Sequence, residues 1–184
     1  MSKAKKITLC AMMVAMSVVL AWVSKLIPLQ WLNGGSITLA SMVPIIVVSI
    51  IVGSKWGVLA GIVYSGIQML MGFYPPPTRN FISFLLVIML DYVLAFGCLG
   101  LAGMFYKMFG RKNWAMPVSA LIVTFIRFVC HFLSGVIIWG SSDPDMGAAA
   151  FSLFYNGGYM IPEIIISTVV TALLIPLVNR LKKI

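Results

Sequence analysis

Acidic side chains are nearly absent from this sequence. Its 184 residues hold 4 Asp and Glu against 13 Lys and Arg, and only 9% of the chain is charged. Soluble domains carry about 25% charged residues, so a soluble domain of useful size is excluded. A single histidine excludes a multi-histidine metal site, and no cysteine or carboxylate cluster has ligand spacing. The three cysteines, Cys10, Cys98 and Cys130, each lie inside an apolar run, where they read as small packed hydrophobes. No phosphate-cradling loop is present. Ser134 could be drawn beside His131 and Asp91 as a triad, but no nucleophile motif surrounds it. These absences argue against an enzyme, a resident metal and a bound cofactor. The net charge of +9 would suggest nucleic acid in a soluble protein. Here the cations sit at the ends of apolar runs, which is the membrane pattern, so nucleic acid is not expected as a partner.

What the chain does have is apolar length. It is 61% hydrophobic, with a mean hydropathy of +1.08. A spanning helix needs about 20 apolar residues. Six such runs can be drawn, at 7–27, 37–53, 56–72, 81–106, 115–139 and 158–180, separated by proline, glycine and basic turns. The expectation is an all-α membrane protein of six transmembrane helices, forming one domain over 1–184. The basic start Met1 to Lys6 precedes a stretch that is too long for a signal peptide and lacks a clean cleavage site, so it reads as a retained first span.

Charge then suggests an orientation. Lys3, Lys5, Lys6, Lys55, Lys107, Arg111, Lys112, Arg180, Lys182 and Lys183 fall on one side, while Lys25 and Arg79 fall on the other. The positive-inside rule places both termini in the cytoplasm, with loops 28–36, 73–80 and 140–157 outside. Gly53, Gly57 and Gly61 share a helix face with Ser65, and Ala11 and Ala15 repeat the spacing in the first run. Small residues at this spacing let helix backbones approach closely, and tight internal packing is the reading for the glycines.

Asp91 stands alone as a charge in the apolar run from Phe81 to Tyr106. A carboxylate in hydrocarbon persists only when it faces a cavity or a partner, so it marks a functional site or an interhelical hydrogen bond. At about 1.5 Å per residue, Asp91 lies roughly 22 Å above Tyr106 and His131 roughly 24 Å above Ala115. Arg127 is one turn below His131, Trp139 is two turns above it, and Asn156 and Glu163 lie near the start of the sixth run. These residues can surround one outward-facing pocket, with Tyr92, Phe151, Tyr155, Tyr159, Trp31 and Tyr74 near its mouth. His131 could equally be a structural hydrogen-bonder, Arg127 and Asp91 a buried ion pair for assembly, and the outer aromatics an interfacial belt. A carboxylate, an indole face and directional donors together suit a small, flat, cationic or amino-heteroaromatic ligand. A small proton-coupled carrier using Asp91 and His131 is the alternative from another class.

The sequence also resembles the thiamine-specific substrate-binding (S) component of energy-coupling factor transporters. The resemblance is carried by Gly34-Gly35-Ser36 leading to Met42-Val43-Pro44, by Leu90-Asp91-Tyr92, and by Arg127, His131, Ser134-Gly135 and Trp139. It continues through Ser152-Leu153, Tyr155-Asn156 and Tyr159-Met160-Ile161-Pro162. It implies a six-helix protein of the prokaryotic plasma membrane that captures thiamine, or a related heterocycle such as a precursor, from outside. Asp91 matches the family's pocket carboxylate, His131 and Trp139 its ring contacts, Asn156 an amide, and Arg127 a basic position. Phe151 falls where a Tyr is frequent. The resemblance further implies docking through Ala11 and Ala15 to a coupling transmembrane subunit, with two cytoplasmic ATPase subunits supplying energy.

Overall fold

The fold builds up from local signals. Ser2 opens the first helix, α1 (Lys3–Ser24), by accepting the Lys5 N–H at 3.3 Å. This satisfies one of the amides that a helix start leaves without a partner. Val14, Ser17, Ala21 and Ser24 are buried at spacings of three and four, so one face of α1 meets the rest of the protein. Ala11 and Ala15 lie on its uncovered surface. The computed structural model describes residues 1–26, 37–78 and 80–182, and every regular element among them is helical. Expectations for Trp31, for Gly34-Gly35-Ser36 and for Arg79 concern residues outside that description.

The second helix, α2, runs over Val43–Val52, shorter than the expected 37–53. Pro44 lacks an N–H and is tolerated only in a helix's first turn, which fixes the start near Val43. Residues 37–42 are not helical, and Ala40 takes a left-handed φ of 58°. At 1.5 Å per residue, α2 is about 15 Å long, half a hydrocarbon core. Val43 through Ile50 are all buried, so α2 is the enclosed centre of the fold rather than a lipid-facing rod.

Gly53, with φ of 112°, turns the chain directly into α3 (Ser54–Met71). It therefore makes a corner and takes no part in the expected packing face, since an added Cβ there would meet nothing within 4 Å. Gly57 and Gly61 do pack. Their missing side chains admit the backbone of the next long helix, α4 (Phe81–Met108), at Gly100 and Phe96. Gly100 returns the relationship, since a methyl there would fall on the Gly57–Val58 backbone. Ser49 of α2 locks the same crossing: its hydroxyl donates to Gly100 O and accepts the Gly103 N–H at 2.9 Å.

Two helices depart from regular winding. Asn80 caps α4 by accepting the Ser83 N–H at 2.7 Å. Within α4, Ile88–Leu94 widens to a π-helix and Cys98–Leu101 tightens to a 3₁₀ turn. The helix α5 (Ala115–Trp139) matches its expected limits but is π-helical over its last stretch, Gly135–Trp139. Gly140, with φ of 69°, closes it through an N–H···O bond of 2.9 Å to Gly135 O.

The last run begins ten residues earlier than expected. Helix α6 spans Ala148–Leu173, so Phe151, Tyr155 and Asn156 are helical rather than loop residues. Gly157 and Gly158 cost about 1 kcal/mol each in a helix, and the packing of Ser152 and Asn156 against α5 overrides that cost. Pro176 then starts a separate helix, α7 (Ile175–Leu181), bent by 58° from α6. Lys182 Nζ donates to Tyr106 OH at 2.7 Å and Asn179 Nδ2 to Asn113 Oδ1 at 3.0 Å, tying α7 to the ends of α4 and α5. Among the described residues, α1, α4 and α5 are long and apolar enough to cross a membrane, and α6 with α7 makes a fourth if the bent pair is one span.

Candidate functional site

The π-helical stretches of α4 and α5 supply the centre of the site. Asp91 lies in the first and Trp139 ends the second. In a regular helix Trp139 would sit about 80° around the axis from His131. A π turn advances less per residue, which changes the direction in which its side chains leave the helix. Trp139 Nε1 thereby donates to Asp91 Oδ2 at 3.2 Å. Ser134, at the last α-helical position of α5, donates to the same oxygen at 2.6 Å. His131 Nδ1 lies 3.0 Å from Asp91 Oδ1. Both oxygens of the carboxylate are therefore bonded, which is how a charge persists in an apolar surround.

Arg127 does not pair with Asp91; His131 stands between them. Arg127 Nε donates to His131 Nε2 at 3.2 Å, and its guanidinium rests over the Phe96 ring at 4.1 Å, in cation–π range. The sequence placed the two charges at one depth but could not place the imidazole as the intermediary.

The opposite wall is one face of α6. Phe151, Tyr155, Tyr159 and Glu163 recur every four residues, so they line up along the helix. Phe151 and Tyr155 stack at 6.0 Å, Tyr155 meets Tyr159 edge-on at 5.9 Å, and Tyr159 meets His131 at 6.2 Å. Asn156 faces α5: its Nδ2 donates to His131 O at 3.3 Å and to Ser152 O at 3.0 Å, while its Oδ1 accepts from Tyr159 OH at 2.7 Å. Gly135 permits this approach, because a side chain there would collide with Ser152. Glu163 is 2% exposed. One of its oxygens accepts the Thr38 N–H, and Oε2 has no hydrogen-bond partner.

Between these walls lies a cavity of about 980 Å³. All nine expected ligand contacts line it: Asp91, Tyr92, Arg127, His131, Trp139, Phe151, Tyr155, Asn156 and Glu163. Tyr74 also lines it. The Tyr92 hydroxyl is committed to the chain after α3, donating to Gly72 O at 3.3 Å and accepting the Tyr74 N–H at 3.2 Å. Sequence reasoning missed Lys25, Thr38, Ser41 and Gln68, which line the cavity from the end of α1, the segment before α2, and α3. Gln68, four residues before Gly72 and polar within an apolar helix, was the available signal. The sequence offers Ser134 as a triad member and as part of the family resemblance, and the structure makes it a brace for Asp91 and Trp139. Among the described residues, no group of three or more His, Cys, Asp and Glu could hold a metal ion.

Comparison with known proteins extends these observations. The family described as Thiamine transporter protein (Thia_YuaJ) matches residues 7–183. Thiamine transporter ThiT of Bacillus subtilis (strain 168) is 30% identical over 183 residues, covering 94% of this chain and 91% of that protein. Thiamine transporter ThiT of Lacticaseibacillus paracasei is 28% identical over 102 residues, about half of each chain (50% and 51%). A solved structure of ThiT from Listeria monocytogenes shares the fold, with a TM-score of 0.75, 21% identity and 98% of each chain covered. This is a transport family, not an enzyme family, and its apolar helices are those of a multi-pass protein of the prokaryotic plasma membrane. From the match along nearly the whole sequence, the chain belongs to the thiamine transporter protein family.

Proposed function

We propose that this chain is the thiamine-binding S component of an energy-coupling factor transporter, capturing the vitamin in the cavity between α4, α5 and α6. The observation that carries this reading is the hydrogen-bonded Asp91–His131–Trp139 cluster, opening onto a cavity whose other wall is aromatic. Thiamine joins two flat heteroaromatic rings, one of them cationic. The indole of Trp139 and the rings of Tyr155 and Tyr159 offer faces to such a molecule, and Asp91 and Glu163 supply the compensating negative charge. Asn156, Tyr92 and Phe151 complete the set of ligand contacts, and Arg127 lines the cavity beside His131.

The wider reading follows from the same premise. The chain has no nucleotide-binding loop, so import needs energy from elsewhere. A coupling transmembrane subunit and two cytoplasmic ATPases fill that role, with Ala11 and Ala15 on the uncovered side of α1 as the docking face. In this reading the chain crosses the bilayer six times, α2 and α3 included, with both termini in the cytoplasm and the cavity open outward. The clustering of cations near the ends of α1, α4 and α7 supports that orientation.

Titration of the purified protein with thiamine, read by tryptophan fluorescence, tests the proposal. Saturable quenching that is lost in Trp139→Ala is the expected result. No response to thiamine, together with a different heterocycle found by mass spectrometry of the purified protein, would replace thiamine with that compound.

A further inference from the structure

We infer that Arg127 and Asp91 act as positioning residues that hold His131 in a single neutral tautomer, with its proton on Nδ1. His131 is the chain's only histidine. The argument rests on donors and acceptors alone. A guanidinium has only N–H groups to offer, so the Arg127 Nε–H that points at His131 Nε2 over 3.2 Å requires a lone pair there. On the other side of the ring, Asp91 Oδ1 lies 3.0 Å from Nδ1. A carboxylate only accepts, so the proton must sit on Nδ1. Both neighbours select the same form. An imidazolium would set N–H against N–H at Arg127, and the other neutral tautomer would oppose a donor at Nε2 and two acceptors at Nδ1.

The surroundings fix the two selecting groups. Phe96 lies under the Arg127 guanidinium at 4.1 Å. Ser134 and Trp139 both donate to Asp91 Oδ2, at 2.6 and 3.2 Å, so that carboxylate cannot turn without losing two bonds. Tyr159 of α6 also faces the imidazole, edge-on at 6.2 Å, and its hydroxyl is turned to Asn156. The donors thus run in one direction, from Arg127 through His131 to Asp91. The consequence for binding, which rests on the thiamine reading above, is that His131 keeps no free acceptor. A ligand meets its ring, as it meets the indole of Trp139, rather than a nitrogen lone pair. Arg127 then affects affinity through His131 without touching the ligand.

Nitrogen NMR on protein labelled with ¹⁵N-histidine tests this, because one residue gives one pair of ring signals. The expected spectrum at neutral pH shows a directly bonded proton on Nδ1 and none on Nε2. In Arg127→Met a signal for protonated Nε2 is expected to appear, and thiamine binding to weaken by about tenfold, the lower end of the loss seen at metal centres when a residue that orients a ligating histidine is removed. Arg127→Lys, which keeps a donor, recovers most of that loss. A wild-type spectrum with the proton on Nε2, or on both nitrogens, overturns the inference, as does thiamine affinity in Arg127→Met equal to wild type. If Arg127→Met does not fold, the wild-type spectrum alone decides. The expected spectrum in a protein that ignores thiamine would uphold the tautomer and sink the ligand assignment, so the two failures are separable.

Discussion

Asp91 and His131 are 40 residues apart in the chain and meet at 3.0 Å, on the inner faces of α4 and α5. The contact joins a charge to a ring that donates to it on one side and accepts from Arg127 on the other. It sits at the wall of a cavity, so its partners bear on both stability and binding.

Asp91→Asn keeps the size of the side chain and removes its charge. Three donors still face it, and the amide oxygen can serve only some of them. The protein is expected to fold, with thiamine affinity weakened by about tenfold or more, since one lost charge-assisted interaction is worth about 1.5–3 kcal/mol. Isothermal calorimetry on the purified variant is the check, and a dissociation constant within twofold of wild type would remove Asp91 from the ligand's energetics.

Glu163→Gln probes the far end of the cavity. The amide oxygen still accepts the Thr38 N–H, so the segment before α2 stays attached. The acid group at the partnerless Oε2 becomes an amide. Binding of cationic thiamine is expected to weaken more than binding of its neutral aminopyrimidine half. Equal losses for both compounds would mean that Glu163 matters through packing alone.

Gly100→Ala tests the crossing of α3 and α4. The added methyl would fall on the Gly57–Val58 backbone, which cannot yield as a flexible side chain can. Overpacking of this kind costs about 1–3 kcal/mol, and a thermal melt in detergent is expected to drop accordingly. Gly66→Ala, in the middle of α3 with open space around the site, is the control and is expected to hold or raise the melting temperature. Equal melts for the two variants would contradict the close approach.

Tyr106→Phe removes the hydroxyl that accepts from Lys182 and donates to Arg111 O at 2.7 Å, while keeping the ring that Lys182 Nζ covers at 4.0 Å. A loss of about 1 kcal/mol in stability is expected, with no change in thiamine affinity, because these bonds lie outside the cavity. A change in affinity would tie the α7 end to the binding site.

The sequence made the α5 limits, the near-limits of α3 and α4, and the membership of the cavity legible. Apolar length marks a helix well, and a lone carboxylate in an apolar run has few places to go. It did not reveal the shortness of α2, because a buried helix is apolar on all sides and gives no pattern of its own. The start of α6 was hidden by Gly157 and Gly158, whose local cost is smaller than the packing that overrides it. The partners of Gly57 and Gly61 were out of reach as well. Nothing local announces that Gly100 will lie against them.

The widened winding at Ile88–Leu94 also has an evolutionary reading. Such a turn accommodates one more residue than a regular helix needs for the same rise. Deleting a single position there would let the stretch wind as a regular helix of nearly the same rise, so the parts of α4 on either side would keep their facing. Asp91, inside the stretch, would lose the direction that brings it to His131 and Trp139, while the Gly100 crossing stayed in place. Natural descendants of this helix could thus lose a residue from that stretch and keep the crossing, but not keep Asp91 where it is.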